Sequence, residues 1–259
     1  MLVRSYSVSD IGRMRSLNQD YVFTSEVPIG TLPNLFIVAD GMGGHKAGEF
    51  ASKCAVETVV NEVNLSGRKA QGSDKSGKAE VSVIKVLSSA IQKANEKIRQ
   101  KAAADENYQG MGTTLVVATF DGKEMIVGNV GDSRLYLISD DIRQVTTDHS
   151  LVEEMIRMGG LERTKARTHP DKNIITRAIG VVDVVDVDFF ELSDLKRGDI
   201  VLMCSDGLSN MLDDLEIKKI ISNAGTLEEK ANKLIAAANA NGGRDNITVI
   251  LFEVLLDEE

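Results

Sequence analysis

The chain's 259 residues suffice for a large core, and 42% hydrophobic with 27% charged residues is an ordinary soluble globular composition. A formal charge of −9 without a long basic patch argues against non-specific binding to nucleic acid or to anionic membranes. No apolar stretch approaches the ~20 residues that span a bilayer, residues 1–6 do not resemble a signal peptide, and Cys54 and Cys204 fall on apolar faces as buried free thiols do in a reducing compartment, so the expected location is the cytoplasm.

Residues 2–11 alternate loosely, as in a half-buried strand. A turn region through Arg15 and Asp20 leads into the β-prone Tyr21-Val22-Phe23. Residues 35–39 read as the first strongly buried strand. It delivers Asp40 to its rim, where Gly41, Gly43 and Gly44 let the backbone turn and approach a ligand closely. Residues 47–63 have helical apolar spacing (Phe50, Ala51, Cys54, Ala55, Val59). Residues 64–79 are Gly, Ser and Lys rich and read as a flexible loop. Gly72 and Gly77-Lys78 approximate a phosphate-binding P-loop there, but Ala79 replaces the required Ser/Thr and no apolar strand precedes it. A second helix is expected over 80–104.

The texture then becomes β-prone: Thr113–Phe120, Lys123–Val130, Arg134–Ser139 and Ile142–Val145, separated by short turns, predict an antiparallel meander. A short helix over 151–158, a mobile polar loop over 159–174, strands over 184–191 and 200–205, helices over 214–222 and 227–240, and a strand over 247–254 complete the chain. Strands and helices come in blocks, which predicts an α+β fold: a sandwich of two antiparallel sheets flanked by helix pairs. With no composition break and no repeat, residues 1–259 read as a single domain.

Asp20, Asp40, Asp132, Asp206 and Asp245 all sit at strand boundaries. Each alone is an ordinary turn residue. Gathered on one rim, they would repel strongly unless cations neutralised them. An all-oxygen cluster suits Mg²⁺ or Mn²⁺. His45, His149 and His169 form no zinc spacing with the cysteines, and no EF-hand loop is present. Arg15, close to Asp20, could bind a phosphate bidentately or pair with one of the aspartates. Lys46 reads as a solvated surface lysine.

Seven segments appear in order: Arg15-Ser16-Leu17-Asn18-Gln19-Asp20, Ala39-Asp40-Gly41-Met42-Gly43-Gly44-His45, Gly112-Thr113-Thr114, Asn129-Val130-Gly131-Asp132-Ser133-Arg134, Thr176-Arg177-Ala178-Ile179-Gly180, Ser205-Asp206-Gly207-Leu208 and Arg244-Asp245-Asn246-Ile247-Thr248. Together, over about residues 4–254, the chain resembles the bacterial form of the type 2C, metal-dependent serine/threonine protein phosphatases. The resemblance implies two or three Mn²⁺ or Mg²⁺ ions. Asp40 and the Gly41 carbonyl would be ligands, with Asp206 and Asp245 completing the first ion's shell. Asp20 would hold metal-bound water, and Asp132 with Asp206 would form a weaker third site. Arg15 would hold the substrate phosphate, and residues 159–175 would be a flap beside the site. A metal-bridging hydroxide would then attack phosphorus directly.

The same resemblance implies phosphorylated proteins as partners, including a Ser/Thr kinase and its targets, and a monomeric enzyme. Its alternatives are a catalytically silent phosphoprotein- or metal-binding relative and another metal-dependent phosphoesterase. One position departs from the wider family: Met42 stands where many eukaryotic members carry a histidine proposed as general acid. His45 is nearby in sequence, and the acid stays unassigned.

Overall fold

The computed structural model describes residues 2–44, 46–72 and 82–255, with side chains through Gly67 in the first long helix. Its elements run β1 (Val3–Asp10), β2 (Asp20–Ser25), β3 (Leu35–Met42), α1 (Ala47–Gly72), α2 (Val83–Ala104), β4 (Gly112–Thr113), β5 (Leu115–Phe120), β6 (Met125–Val130), β7 (Arg134–Ile138), β8 (Ile142–Gln144), α3 (Leu151–Arg157), α4 (Arg163–Ala166), β9 (Asp188–Leu192), β10 (Ile200–Cys204), α5 (Asp206–Ser209), α6 (Asp214–Ser222), α7 (Leu227–Ala240) and β11 (Ile247–Val254).

Both faces of the central strands are apolar, so each sheet must be covered twice. In β3, Phe36 and Val38 enter one core while Leu35, Ile37 and Ala39 enter another. In β10, Val201 and Met203 share the first core, and Ile200, Leu202 and Cys204 face a third. The shared core joins two antiparallel sheets, ordered β1-β11-β10-β7-β8 and β2-β3-β5-β6-β9, with β4 added beside β3. The rings of Phe36 and Phe252 stack across it with centroids 4.4 Å apart. Ala51, Val59, Leu87 and Ile91 of α1 and α2 cover one outer face, and Ile217, Ile221, Leu234 and Ala238 of α6 and α7 cover the other. The expected α+β sandwich with flanking helix pairs is therefore the observed architecture.

Antiparallel pairing brings several strand termini to one end. Asp10 pairs with Ile247, Asp20 with Asp40, Leu115 with Val130, and Cys204 with both Arg134 and Val249. The ends of β3, β6 and β10 and the starts of β2 and β11 therefore share one rim. Cys54 and Cys204 are buried free thiols, and burial pushes the Cys204 thiol up to about 12. Among the described residues, no helix is long and apolar enough to cross a membrane.

Several expectations need correction. Residues 64–72 continue α1 and are not a loop. Gly67 passes against the backbone of Gly30, with room for no Cβ there, so a tertiary contact overrides weak local propensity. The rest of the expected loop and Gly77-Lys78 lie outside the described residues, as do residues 80 and 81 of the expected second helix. The strand expected to end at Ala39 runs on to Met42, because Gly41 and Met42 pair with β4. The run from Thr113 to Phe120 is broken at Thr114, whose N–H donates to Asp40 O (2.9 Å). The segment 159–174, expected as a loop, carries the helical turn α4, and Leu151 N donates to Ile174 O (2.8 Å). The strand expected over 184–191 starts only at Asp188.

Candidate active site

The shared rim encloses a cleft of about 270 Å³. Arg15, Asp40, Gly41, Asp132, Asp206 and Asp245 line it together with Met42. Asp20 is buried behind this lining. Each side chain arrives from a different element. Asp20 opens β2, Asp40 lies near the end of β3, and Asp132 sits in the β6–β7 turn. Asp206 begins α5, and Asp245 precedes β11. Two glycines make this convergence possible. A Cβ on Gly41 would stand 2.0 Å from Gly48 O, and one on Gly207 would stand 1.9 Å from Asn246 O. No side chain fits at either place.

Surrounding polar groups fix the carboxylates. Asp40 N donates to Thr114 Oγ1 (3.0 Å), which also bonds Ser133 Oγ (2.7 Å). Ser205 Oγ donates to Asp20 Oδ2 (2.7 Å) and accepts from Thr248 N (3.0 Å). Asn246 holds the loop that presents Arg15: its Nδ2 donates to Ile11 O (2.9 Å) and Leu17 O (3.0 Å), and its Oδ1 accepts from Gln19 N (2.8 Å). His149 Nδ1 accepts from Gly131 N (3.0 Å), next to Asp132, so the Nε2–H tautomer can donate to Asp188 Oδ2 (3.0 Å). Arg177 donates to the other oxygen of Asp188 (2.6 Å). The Thr176–Gly180 motif thereby braces the turn that carries Asp132.

The supporting roles of Thr114, Ser133, His149, Asp188 and Asn246 come from the fold. Thr114, Ser133 and Asn246 lie inside the motif segments, and Asp188 has no motif to mark it. Lys46 is exposed, as expected. His45 lies outside the described residues.

Electrostatics set the character of the cleft. Burial pushes Asp20 up to about 7, and the nearby Asp206 adds to this against hydrogen bonds from Thr248 and Ser205. Burial also raises Asp206 to about 6, reinforced by Asp245 and offset by a hydrogen bond with Asp40. Asp40 and Asp132 are driven well above the usual carboxylate range, first by burial and then by their acidic neighbours. Asp20 Oδ1 and Asp206 Oδ1 are buried without a hydrogen-bond partner. Such oxygens are costly unless a cation or proton meets them. The donor set is all oxygen, and it fits a hard divalent cation. As placed, no three Asp, Glu, His or Cys groups among the described residues could hold one ion. Arg15 Nη2 holds Asp245 Oδ2 at 2.7 Å. The pairing alternative for Arg15 is thus the one observed.

The model of the protein phosphatase 2C family matches residues 13–248. The chain belongs to that family. The serine/threonine phosphatase stp of Listeria innocua is 41% identical over 248 residues, which cover 95% of this chain and 93% of that protein. The solved serine/threonine phosphatase of S. agalactiae superposes with a TM-score of 0.84 at 36% identity, covering 97% of this chain and 99% of that one. The catalytic domain of the serine threonine protein phosphatase PstP, solved with two manganese ions, gives 0.79 at 30% identity over 98% and 99%. This protein phosphatase 2C chain is an enzyme of the same class, and divalent metal use comes with the family.

Proposed function

We propose that this phosphatase hydrolyses phosphoserine and phosphothreonine in proteins with two or three Mn²⁺ or Mg²⁺ ions in the cleft. The observation that carries this reading is the set of buried carboxylates with raised proton affinity and orphaned oxygens, with Arg15 at the same cleft. Asp40, the Gly41 carbonyl, Asp206 and Asp245 would hold the ions, and Asp132 with Asp206 a third. Asp20 would orient water against them. Bound ions would supply an activated water for direct attack on phosphorus and neutralise charge on the phosphoryl oxygens.

The remaining roles fall to this chain's own groups. Arg15 exchanges its exposed pairing with Asp245 for a substrate phosphate, a change that costs little because such pairs are weak. Its planar guanidinium can then bind two phosphoryl oxygens and favour the transition state. Met42 lines the cleft and has no proton to give, so it is not the acid that protonates the leaving alkoxide. The whole chain acts as one catalytic domain and as a monomer, on phosphorylated proteins that include a kinase and its targets. The buried free thiols Cys54 and Cys204 favour a reducing compartment such as the cytoplasm.

Phosphate release from a phosphothreonine peptide, measured with Mn²⁺, with Mg²⁺ and with EDTA, tests the reading. Turnover should appear with at least one ion and vanish in EDTA. Activity that survives EDTA, or none with either ion, would overturn it.

A further inference from the structure

Asp206 is tethered through its Oδ2. Asn210, one helical turn on, donates from Nδ2 to Asp206 Oδ2 (2.8 Å), and its own N–H donates to the Asp206 carbonyl (2.7 Å). Asp206 Oδ1 is left buried without a partner. The amide of Asn210 is itself oriented from outside. Lys172 Nζ donates to Asn210 Oδ1 (3.0 Å). An ammonium has donors only, so it fixes the amide oxygen toward Lys172 and turns the NH₂ toward Asp206. Nearby, Arg167 donates to Leu212 O (2.9 Å) and, more weakly, to Asn210 O (3.4 Å). A recess of about 190 Å³, lined in part by Asp132, Arg134, Arg167, Lys172, Asp206 and Asn210, shares Asp132 and Asp206 with the cleft.

We propose that Asn210 is a positioning residue that relays the docking of segment 163–173, through Lys172, to the carboxylate of Asp206. With the segment docked, Asp206 presents its free oxygen to the cleft. With it undocked, the amide can rotate and the carboxylate loses its fixed aim. Docking and metal affinity are then linked, and by reciprocity a bound ion favours the docked segment. The inference rests on the metal-site reading above, but it adds a residue pair that touches neither ion nor substrate.

The sign of one substitution separates this relay from simple electrostatics. Lys172 lies within electrostatic reach of Asp206, so removing its charge would by itself tighten binding of a divalent cation. The relay requires the opposite. Mn²⁺ is titrated calorimetrically, without substrate, into the full-length metal-free wild type, Lys172→Met, Lys172→Arg, Asn210→Ala and the Lys172→Met/Asn210→Ala double variant. Lys172→Met should weaken Kd about three- to tenfold, Lys172→Arg should keep it near wild type, and Asn210→Ala should weaken it about tenfold. The double variant should match Asn210→Ala within about twofold, because both changes cut the same link. Lys172→Met carries the test even if Asn210→Ala folds poorly. Unchanged or tighter binding in Lys172→Met, or additive losses in the double variant, would overturn the relay alone. A wild type that binds no Mn²⁺ would overturn the metal-site reading along with it.

Discussion

Asp20 faces Asp40 directly across the β2–β3 ladder. Like charges opposite each other in a sheet are destabilising, by up to ~1 kcal/mol per pair, and here both groups are held toward their protonated forms. The pair is a local cost that a cation would turn into a gain. Asp40→Asn should therefore raise the melting temperature of the metal-free protein by about 2–4 °C. It should also abolish the further rise on adding Mn²⁺. Differential scanning fluorimetry with EDTA and with Mn²⁺ reads both, and a retained Mn²⁺ shift would remove Asp40 from the ligand set.

The raised carboxylates set a pH dependence of unusual sign. Burial pushes Asp20 up to about 7 and Asp206 up to about 6, above their ordinary value of 3.8. Between those values the native state binds more protons than the unfolded chain, so stability falls as pH rises. From pH 5 to pH 8 in EDTA, the melting temperature should drop by about 5 °C or more. Mn²⁺ affinity should rise over the same interval, since fewer protons must leave. A melting temperature flat across that range would contradict the buried, proton-holding cluster.

Asp206→Asn keeps the shape of the side chain and removes its charge. Turnover on a phosphothreonine peptide should fall at least ~100-fold, the scale of losing one electrostatic group from a transition state. Near-normal turnover would take Asp206 out of the metal site.

Arg15 is half exposed, and its partner Asp245 is itself partly accessible. Exposed ion pairs contribute ~1 kcal/mol or less. Arg15→Ala should thus change Mn²⁺ affinity by no more than about fivefold while raising the inhibition constant for inorganic phosphate about tenfold or more. Lost metal affinity with unaltered phosphate inhibition would instead make Arg15 a support for Asp245.

Gly207→Ala tests the convergence of backbone at the cleft. The added methyl would collide with the Asn246 carbonyl, which must shift the segment carrying Asp245 into β11. A loss of about 1–3 kcal/mol is expected, read by denaturant unfolding together with weaker Mn²⁺ binding. Wild-type values for both would show that this junction yields freely.

Much of this arrangement was legible because local signals agreed with the fold. The start of α6 is marked by Asp213 with Glu216, and that of α7 by Thr226 with Glu229, each forming a reciprocal cap. The buried strands announced themselves as apolar runs, and the aspartates by their places after them. What stayed hidden depends on partners distant in the chain. Residues 64–72 read as a loop because Gly67 reveals its use only beside Gly30. The break at Thr114 follows from bonds to Asp40 and Ser133. The anchoring role of Asn246 shows only in three dimensions, where its amide gathers Ile11, Leu17 and Gln19.

The pairing of β1 with β11, from Val3 opposite Val254 to Asp10 opposite Ile247, makes the cleft a product of distant segments. The loop bearing Arg15 meets its partner, Asp245, across 230 residues of chain, and its anchor, Asn246, lies beside that partner. A fragment cut before Arg244 keeps four of the five aspartates yet lacks both the anchor and the partner. Truncation at that point therefore removes the assembled cleft, not one ligand from it.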